Sequence, residues 1–244
     1  MKSLNRQGRR TLLFAAVLAV GTVCWLGCVD DGGNDNPANN NGNNSGNSNT
    51  GGNNTVVNGT FIDSRDSTKY KTVKIGSQTW MAENLNYDTA DGTLSWCYEN
   101  SVDSCDKYGR LYNWYAASTV CPSGWHLPTR GEWGSLAKAA GGTGDYGQSG
   151  PAGTNLKSKS GWNDYYGISG NGTDSLGFSA LPGGRRNQNF VDFDGAGNIS
   201  YWWTATKDNM YFAYNRGIDY IYNFVYANLS LDENGHSVRC VEDD

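Results

Sequence analysis

CPSGWHLPTRGEW, residues 121–133, holds a complete helix-start signal between a cysteine and a tryptophan. Thr129 and Glu132 have capping-box spacing: the Thr129 hydroxyl can accept from the Glu132 N–H while the Glu132 carboxylate reaches back to the Thr129 N–H. Pro128 disfavours helix immediately upstream. Trp133, Leu136, Ala137 and Ala140 follow at helical spacing, and Gly141-Gly142 ends the run. Downstream, residues 142–176 read as loop. Upstream, residues 112–118 read as a second short helix, preceded by strands at 56–63, 69–75 and 78–83 whose β-branched residues alternate or cluster. Beyond the loop, residues 178–181, 199–206, 210–215, 220–226 and 236–241 read as strands separated by Asn, Asp and Gly turns. Strands, then two helices, then a strand meander indicate an α+β domain of mixed short strands with a long loop-rich region.

The chain has 244 residues, 33 Gly, 15 Tyr, 9 Trp and a formal net charge of −5. Residues 1–10 are basic and 11–23 (TLLFAAVLAVGTV) are apolar, too short to span a bilayer, so 1–27 reads as a signal peptide. Its removal takes away Lys2, Arg6, Arg9 and Arg10 and moves the net charge from −5 to −9. An acidic domain does not neutralise phosphates, which argues against nucleic acid as a partner. Residues 28–55 are a polar tether; 31–55 alone hold 11 Asn and 6 Gly, too little apolar surface to offset the entropy of folding. Residues 56–244 are one domain.

Trp25-Leu26-Gly27-Cys28 resembles the bacterial lipobox, with Trp25 where Leu is usual; the resemblance implies lipidation of Cys28 and a bacterial cell-envelope location, at the outer membrane. An exported chain with four further cysteines reads as having two disulfides. Three pairings exist, of which we favour Cys97–Cys105, closing the polar loop CYENSVDSC, and Cys121–Cys240. The C-x-x-C pairs typical of zinc sites are missing.

Five blocks, VKIGSQTWMAENL (73–85), YGRLYNWY (108–115), CPSGWHLPTRGEW (121–133), GFSALPGGR (177–185) and SVRCV (237–241), resemble the Fibrobacter succinogenes major paralogous domain. Taken in order they cover nearly all of 56–244. The resemblance implies a C-type-lectin-like fold on an exported lipoprotein. The third block is also similar to the R-L-P-T-E-x-E-W block of formylglycine-generating enzymes, which implies the same fold. That chemistry needs a reactive cysteine pair, and this sequence offers no spare thiol.

Several candidate sites have plainer readings. Trp162-Asn163-Asp164 spells the W-N-D of calcium-dependent lectins, but the partner E-P-N or Q-P-D triplet is absent, and two residues cannot supply six to eight oxygens. Asp192, Asp194 and Asn198 lack EF-hand spacing; a hairpin turn at Asp194-Gly195 explains them. A Cys121–His126 nucleophile pair yields to a disulfide at Cys121 and a hydrogen-bonded His126. No catalytic residue, metal site or cofactor is therefore expected.

What remains is an excess of aromatic residues, 29 in 56–244. Trp80, Trp114, Trp125 and Trp133 lie in the family-like blocks and are assigned to the core. Residues 201–226 are rich in Tyr and Asn, and strand alternation would place Tyr220, Tyr222, Phe224 and Tyr226 on one face. Trp203, Tyr211, Tyr214, Tyr220 and Tyr222, with Asn187 and Asn189, are the candidate ligand-binding set. Rigid Tyr and Asn surfaces suit recognition because they bring area and hydrogen bonds at low entropic cost. The expected function is a non-catalytic, lipid-anchored binding module for polysaccharide or another envelope component. A protein–protein or structural envelope module is the alternative, and an oxidase related to formylglycine generation the third class.

Overall fold

A computed structural model of the chain describes residues 57–143, 149–187 and 192–244. The expected signal peptide (1–27), lipidation site Cys28, tether (28–55) and Asn189 lie outside the described residues.

The fold begins with an antiparallel meander of β1 (Val57–Ile62), β2 (Lys69–Ile75) and β3 (Gln78–Met81). Gly76, at φ +63°, takes the first position of the two-residue turn joining β2 to β3, the place a type II′ hairpin reserves for glycine. Next come β4 (Ser95–Trp96), a 3-10 turn at Tyr98–Asn100, α1 (Val102–Tyr108), β5 (Leu111–Tyr112), α2 (Trp114–Ala117) and β6 (Trp125–His126). Helix α3 (Arg130–Ala139) starts with the expected box: Glu132 N donates to Thr129 Oγ1 (3.2 Å) and Thr129 N to Glu132 Oε2 (2.7 Å). After α4 (Ala152–Leu156) the chain is β-rich, with β7 (Gly183–Asn187), β8 (Asp192–Ala196), β9 (Ile199–Lys207), β10 (Phe212–Asp219), β11 (Tyr226–Leu231), β12 (His236–Ser237) and β13 (Val241–Glu242).

These strands form two sheets. One runs β1-β2-β3-β13-β6; the other runs β11-β10-β9-β12-β5-β4, with β7 joined in parallel to β9 and carrying β8. Between β12 and β13 the chain passes from one sheet to the other, held by Val238 O accepting from Leu85 N and Cys240 O from Met81 N. The fold is α+β, as expected. Cys97 is bonded to Cys105, and Cys121 to Cys240.

The centre of β9 is covered on both faces. Trp202 enters one core cluster, where its ring lies 5.8 Å from Trp133, itself 5.0 Å from Trp80. Trp203 enters the other cluster, with Tyr70, Tyr112 and Leu85. Trp80, Trp125 and Trp133 are buried and Trp114 is half-buried, which places the four block tryptophans in or against the core.

Several local expectations fail for non-local reasons. Tyr112 is not helical: it pairs with His236 and Ser95, and only 114–117 is helix, capped by Asn113 Oδ1 accepting from Ala116 N. Residues 178–181 form no strand, only the parallel bridge Lys157↔Ala180. Asp194-Gly195 lies inside β8, where Asp194 pairs with Arg185; the turn comes later, at Gly197-Asn198, where Asn198 N donates to Gly195 O. The strand expected at 210–215 runs instead from Phe212 to Asp219, and the one expected at 236–241 is split between the two sheets. Helices α1 and α4 add to the two that were expected.

The chain's two histidines titrate in opposite directions. His236 is fully buried, 4.3 Å from the Trp203 ring; burial, then the nearby Arg185 charge, push its pKa down to about 3. The unfolded state therefore takes up a proton that the folded state refuses, and stability falls as pH drops from about 6.5 towards 3. His126 is partly exposed. Burial disfavours its charge, but Glu132 Oε1 (2.8 Å from Nε2) and Asp243 Oδ1 (2.6 Å from Nδ1) outweigh that and hold its pKa above the ordinary value. Its contribution is present below about 6.5 and is lost as pH rises through the raised value. Urea unfolding should show His236→Gln flattening the acid side of the stability profile. His126→Gln should cost more at pH 5.5 than at pH 8. Parallel pH dependences for the two variants would refute these assignments.

Candidate functional site

The loop after α4 is built around a buried ring. Trp162 Nε1 donates to Ala180 O (3.0 Å) and Ser158 Oγ (3.1 Å), and its backbone N donates to Asn171 Oδ1 (3.0 Å). From this anchor residues 165–168 fold back on themselves, with Tyr165 N donating to Ile168 O (2.8 Å) and Ile168 N to Tyr165 O (2.9 Å). The central pair Tyr166 and Gly167 both have positive φ, 49° and 79°, the requirement of a tight hairpin turn. Glycine meets it freely, whereas tyrosine does so against its steric preference. Tyr166 is 89% exposed, so its ring gains no burial from that conformation. The Tyr165 ring lies 4.5 Å from Tyr166 and meets Tyr220 edge to face at 5.7 Å. Gly170 permits this approach, since a Cβ there would sit 2.8 Å from the Tyr220 Cβ.

The facing wall is the segment after β10. Asp219 Oδ1 accepts from Ile221 N and Tyr222 N (both 2.8 Å), and Asn223 O accepts from Gly153 N (2.8 Å) in α4. Lys157 fastens the wall from below: its Nζ donates to Asp219 O (3.1 Å) and Tyr222 O (3.3 Å). Lys157 is 4% exposed, and burial lowers its pKa against the opposing pull of Asp219. Between the walls lies an open hollow of about 370 Å³ lined by Tyr165, Ile168, Tyr220, Tyr222, Asn223 and Lys157, among others. Tyr222 is half exposed and stacks on Phe224 at 5.1 Å.

The structure divides the candidate ligand set. Tyr220 and Tyr222 line the hollow. Tyr211 and Tyr214 lie towards the other end of β10, where the Tyr214 hydroxyl donates to Asp208 Oδ1 (3.2 Å) and its ring lies under the Arg130 guanidinium at 4.6 Å. Six strand positions separate Tyr214 from Tyr220, about 20 Å, too far for a shared patch. Trp203 is not a surface residue: it is fully buried on β9, and its Nε1 donates to Tyr112 O (2.7 Å). Asn187 is partly buried at the end of β7. The alternation expected over 220–226 is absent, because the Asp219 side chain and Lys157 hold that backbone in turns. Tyr165, Tyr166, Ile168 and Lys157 were missed. The available signal was a Tyr-Tyr doublet followed by Gly in an otherwise polar loop.

Cys121 is bonded to Cys240 and His126 is held between two carboxylates, so neither is poised as a nucleophile–base pair. In the W-N-D triplet, Trp162 is buried, Asn163 Nδ2 donates to Asn198 Oδ1 (3.0 Å) and Asp164 is exposed. Among the described residues no group of three or more His, Cys, Asp or Glu converges to hold a metal ion.

Residues 73–242 match the family model of the Fibrobacter succinogenes major domain. The chain belongs to that family. No curated protein and no solved structure matches it, so the C-type-lectin-like and formylglycine-generating likenesses rest on the sequence motifs alone. In this Fibrobacter succinogenes major domain the matched span includes both disulfides and every residue of the hollow, while β1 precedes it.

Proposed function

We propose that the domain is an exported, lipid-anchored module that binds polysaccharide in the hollow between Tyr165 and Tyr222 and makes or breaks no bonds. The carrying observation is the set of tyrosine rings, braced by Lys157 and Trp162, around an open hollow edged by amides and hydroxyls. Pyranose rings present apolar C–H faces that stack on aromatic side chains. Their hydroxyls need donors and acceptors such as Asn223, Thr154 and Ser169, which edge the same hollow. Rings already held in place lose little entropy on binding. The signal-peptide pattern and Cys28 support attachment to the envelope, with residues 28–55 as a flexible spacer.

The purified full-length chain should be retained by at least one polysaccharide in a glycan array and an insoluble-polysaccharide pull-down. Tyr222→Ala should weaken that binding about tenfold, the scale of losing one interface anchor, while Tyr211→Ala should leave it unchanged. Retention by no glycan at all would overturn the proposal. Labelled palmitate should enter the chain in a bacterial host and be lost in Cys28→Ser. A second reading, contact with an envelope protein, is favoured by the exposed Tyr115, Met210 and Tyr211. Pull-down of envelope proteins that is sensitive to Tyr211→Ala and not to Tyr222→Ala would support it.

A further inference from the structure

The hollow carries one cation and no acid. Its lining includes Lys157 but neither Asp nor Glu. Lys157 is almost fully buried, yet among the described residues no carboxylate comes within ion-pair distance of its ammonium. Its two hydrogen-bond acceptors are neutral carbonyls, those of Asp219 and Tyr222. The Asp219 carboxylate pulls on the ammonium only from a distance, and its Oδ1 is turned to the N–H groups of Ile221 and Tyr222. The Trp162 ring lies 5.5 Å from Nζ and covers another side of the charge. An ammonium has three donors, of which the two carbonyls take two, and Lys157 lines the hollow. A desolvated cation with only neutral acceptors is costly, and an incoming anion removes that cost through a charge-assisted hydrogen bond.

We infer that the hollow selects acidic sugar residues, with a ring carboxylate on Lys157 and the pyranose face on Tyr222 or Tyr165. The inference rests on reading the hollow as a glycan site. Lys157 Nζ is 3.3 Å from the carbonyl of Tyr222, the residue whose half-exposed ring forms the facing wall, so charge and stacking surface belong to one subsite. A uronate carries its carboxylate at the edge of the ring, where one oxygen can meet one N–H while the ring face stays on the aromatic. The domain's net negative charge opposes acidic polymers at long range, so any preference for them must come from a local group of this kind.

The test compares an oligogalacturonate with the same oligomer after carboxyl reduction, titrated calorimetrically into the full-length chain. The acidic oligomer should bind at least tenfold more tightly. Lys157→Met should bring the ratio close to one: loss of its bonds to the carbonyls of Asp219 and Tyr222 weakens both ligands alike, and loss of the charge weakens the acidic one further. Lys157→Arg should keep the preference, and Tyr222→Ala should weaken both ligands equally. Wild-type affinities within twofold of each other would overturn the charge assignment and leave the glycan reading standing. An unchanged ratio in Lys157→Met would do the same. Binding of neither oligomer, together with an empty glycan screen, would overturn both.

Discussion

Replacing Asn84 by alanine should cost about 3 kcal/mol, the upper end for leaving buried donors without an acceptor when one of them is charged, and lower Tm by roughly 10 °C. Asn84 is 7% exposed and lies just beyond β3. Its Oδ1 accepts from Trp202 Nε1 (2.8 Å) and from Arg239 Nε (3.1 Å) and Nη2 (2.8 Å). Its Nδ2 donates to Tyr108 O (2.8 Å). Arg239 is fully buried, and desolvation brings its pKa down to about 9, with Asp174 and Glu83 opposing at a distance. Its remaining partners are neutral: the carbonyls of Phe178 and Ser179, and the Phe178 ring at 4.1 Å. Alanine at 84 would take the acceptor from Arg239 Nε and from the Trp202 N–H together. Because the two residues share one network, Asn84→Ala combined with Arg239→Met should cost 1–3 kcal/mol less than about the sum of the single variants. Urea unfolding followed by tryptophan fluorescence measures both quantities. A cost below about 1 kcal/mol for Asn84→Ala, the size of an ordinary hydrogen bond, would show that Arg239 does not depend on it.

The second large effect should come from the disulfide that spans most of the domain. Cys121 and Cys240 are 119 positions apart, and the chain-entropy model assigns such a loop about 4–5 kcal/mol. Cys97 and Cys105 are 8 apart, for which the same model gives about 2–3 kcal/mol. The longer bridge also lies beside the pairing of β13 with β6, where Val241 faces His126. Cys121→Ala with Cys240→Ala should therefore destabilise more than Cys97→Ala with Cys105→Ala. Equilibrium unfolding of the two double variants gives the comparison, and the opposite ranking would refute it.

What could be read from the sequence was what local chemistry determines. The capping box at Thr129 and Glu132 needs only four consecutive residues, and β2 is bounded as its residue pattern indicates. What could not be read depends on partners far along the chain. Tyr112 is a strand residue because His236 and Ser95 flank it. Trp203 is buried because β9 is covered on both faces, so strand alternation sends each of two adjacent tryptophans into a different core cluster. The segment 220–226 has a strand's alternation, but Asp219 takes the N–H groups of Ile221 and Tyr222, and Lys157, some sixty positions earlier, takes two carbonyls. The candidate site was half legible for the same reason. Tyr220 and Tyr222 stand out in the sequence by residue type, while Tyr165 and Lys157 are brought to them by the fold.

β13 sits between β3 and β6, pairing Val241 with Trp80 on one side and with His126 on the other. Without Val241 and Glu242 in place, both neighbours present bare edges with unpaired N–H and C=O groups. Contacts so distant along the chain are slow to form, because the loop-closure entropy is lost before the pairing compensates it. Pairing of β13 with β3 and β6 is therefore expected to be a slow step of folding, which stopped-flow refolding would show. The Cys121–Cys240 bond fastens that same junction, tying the residue before β13 to the segment that leads into β6.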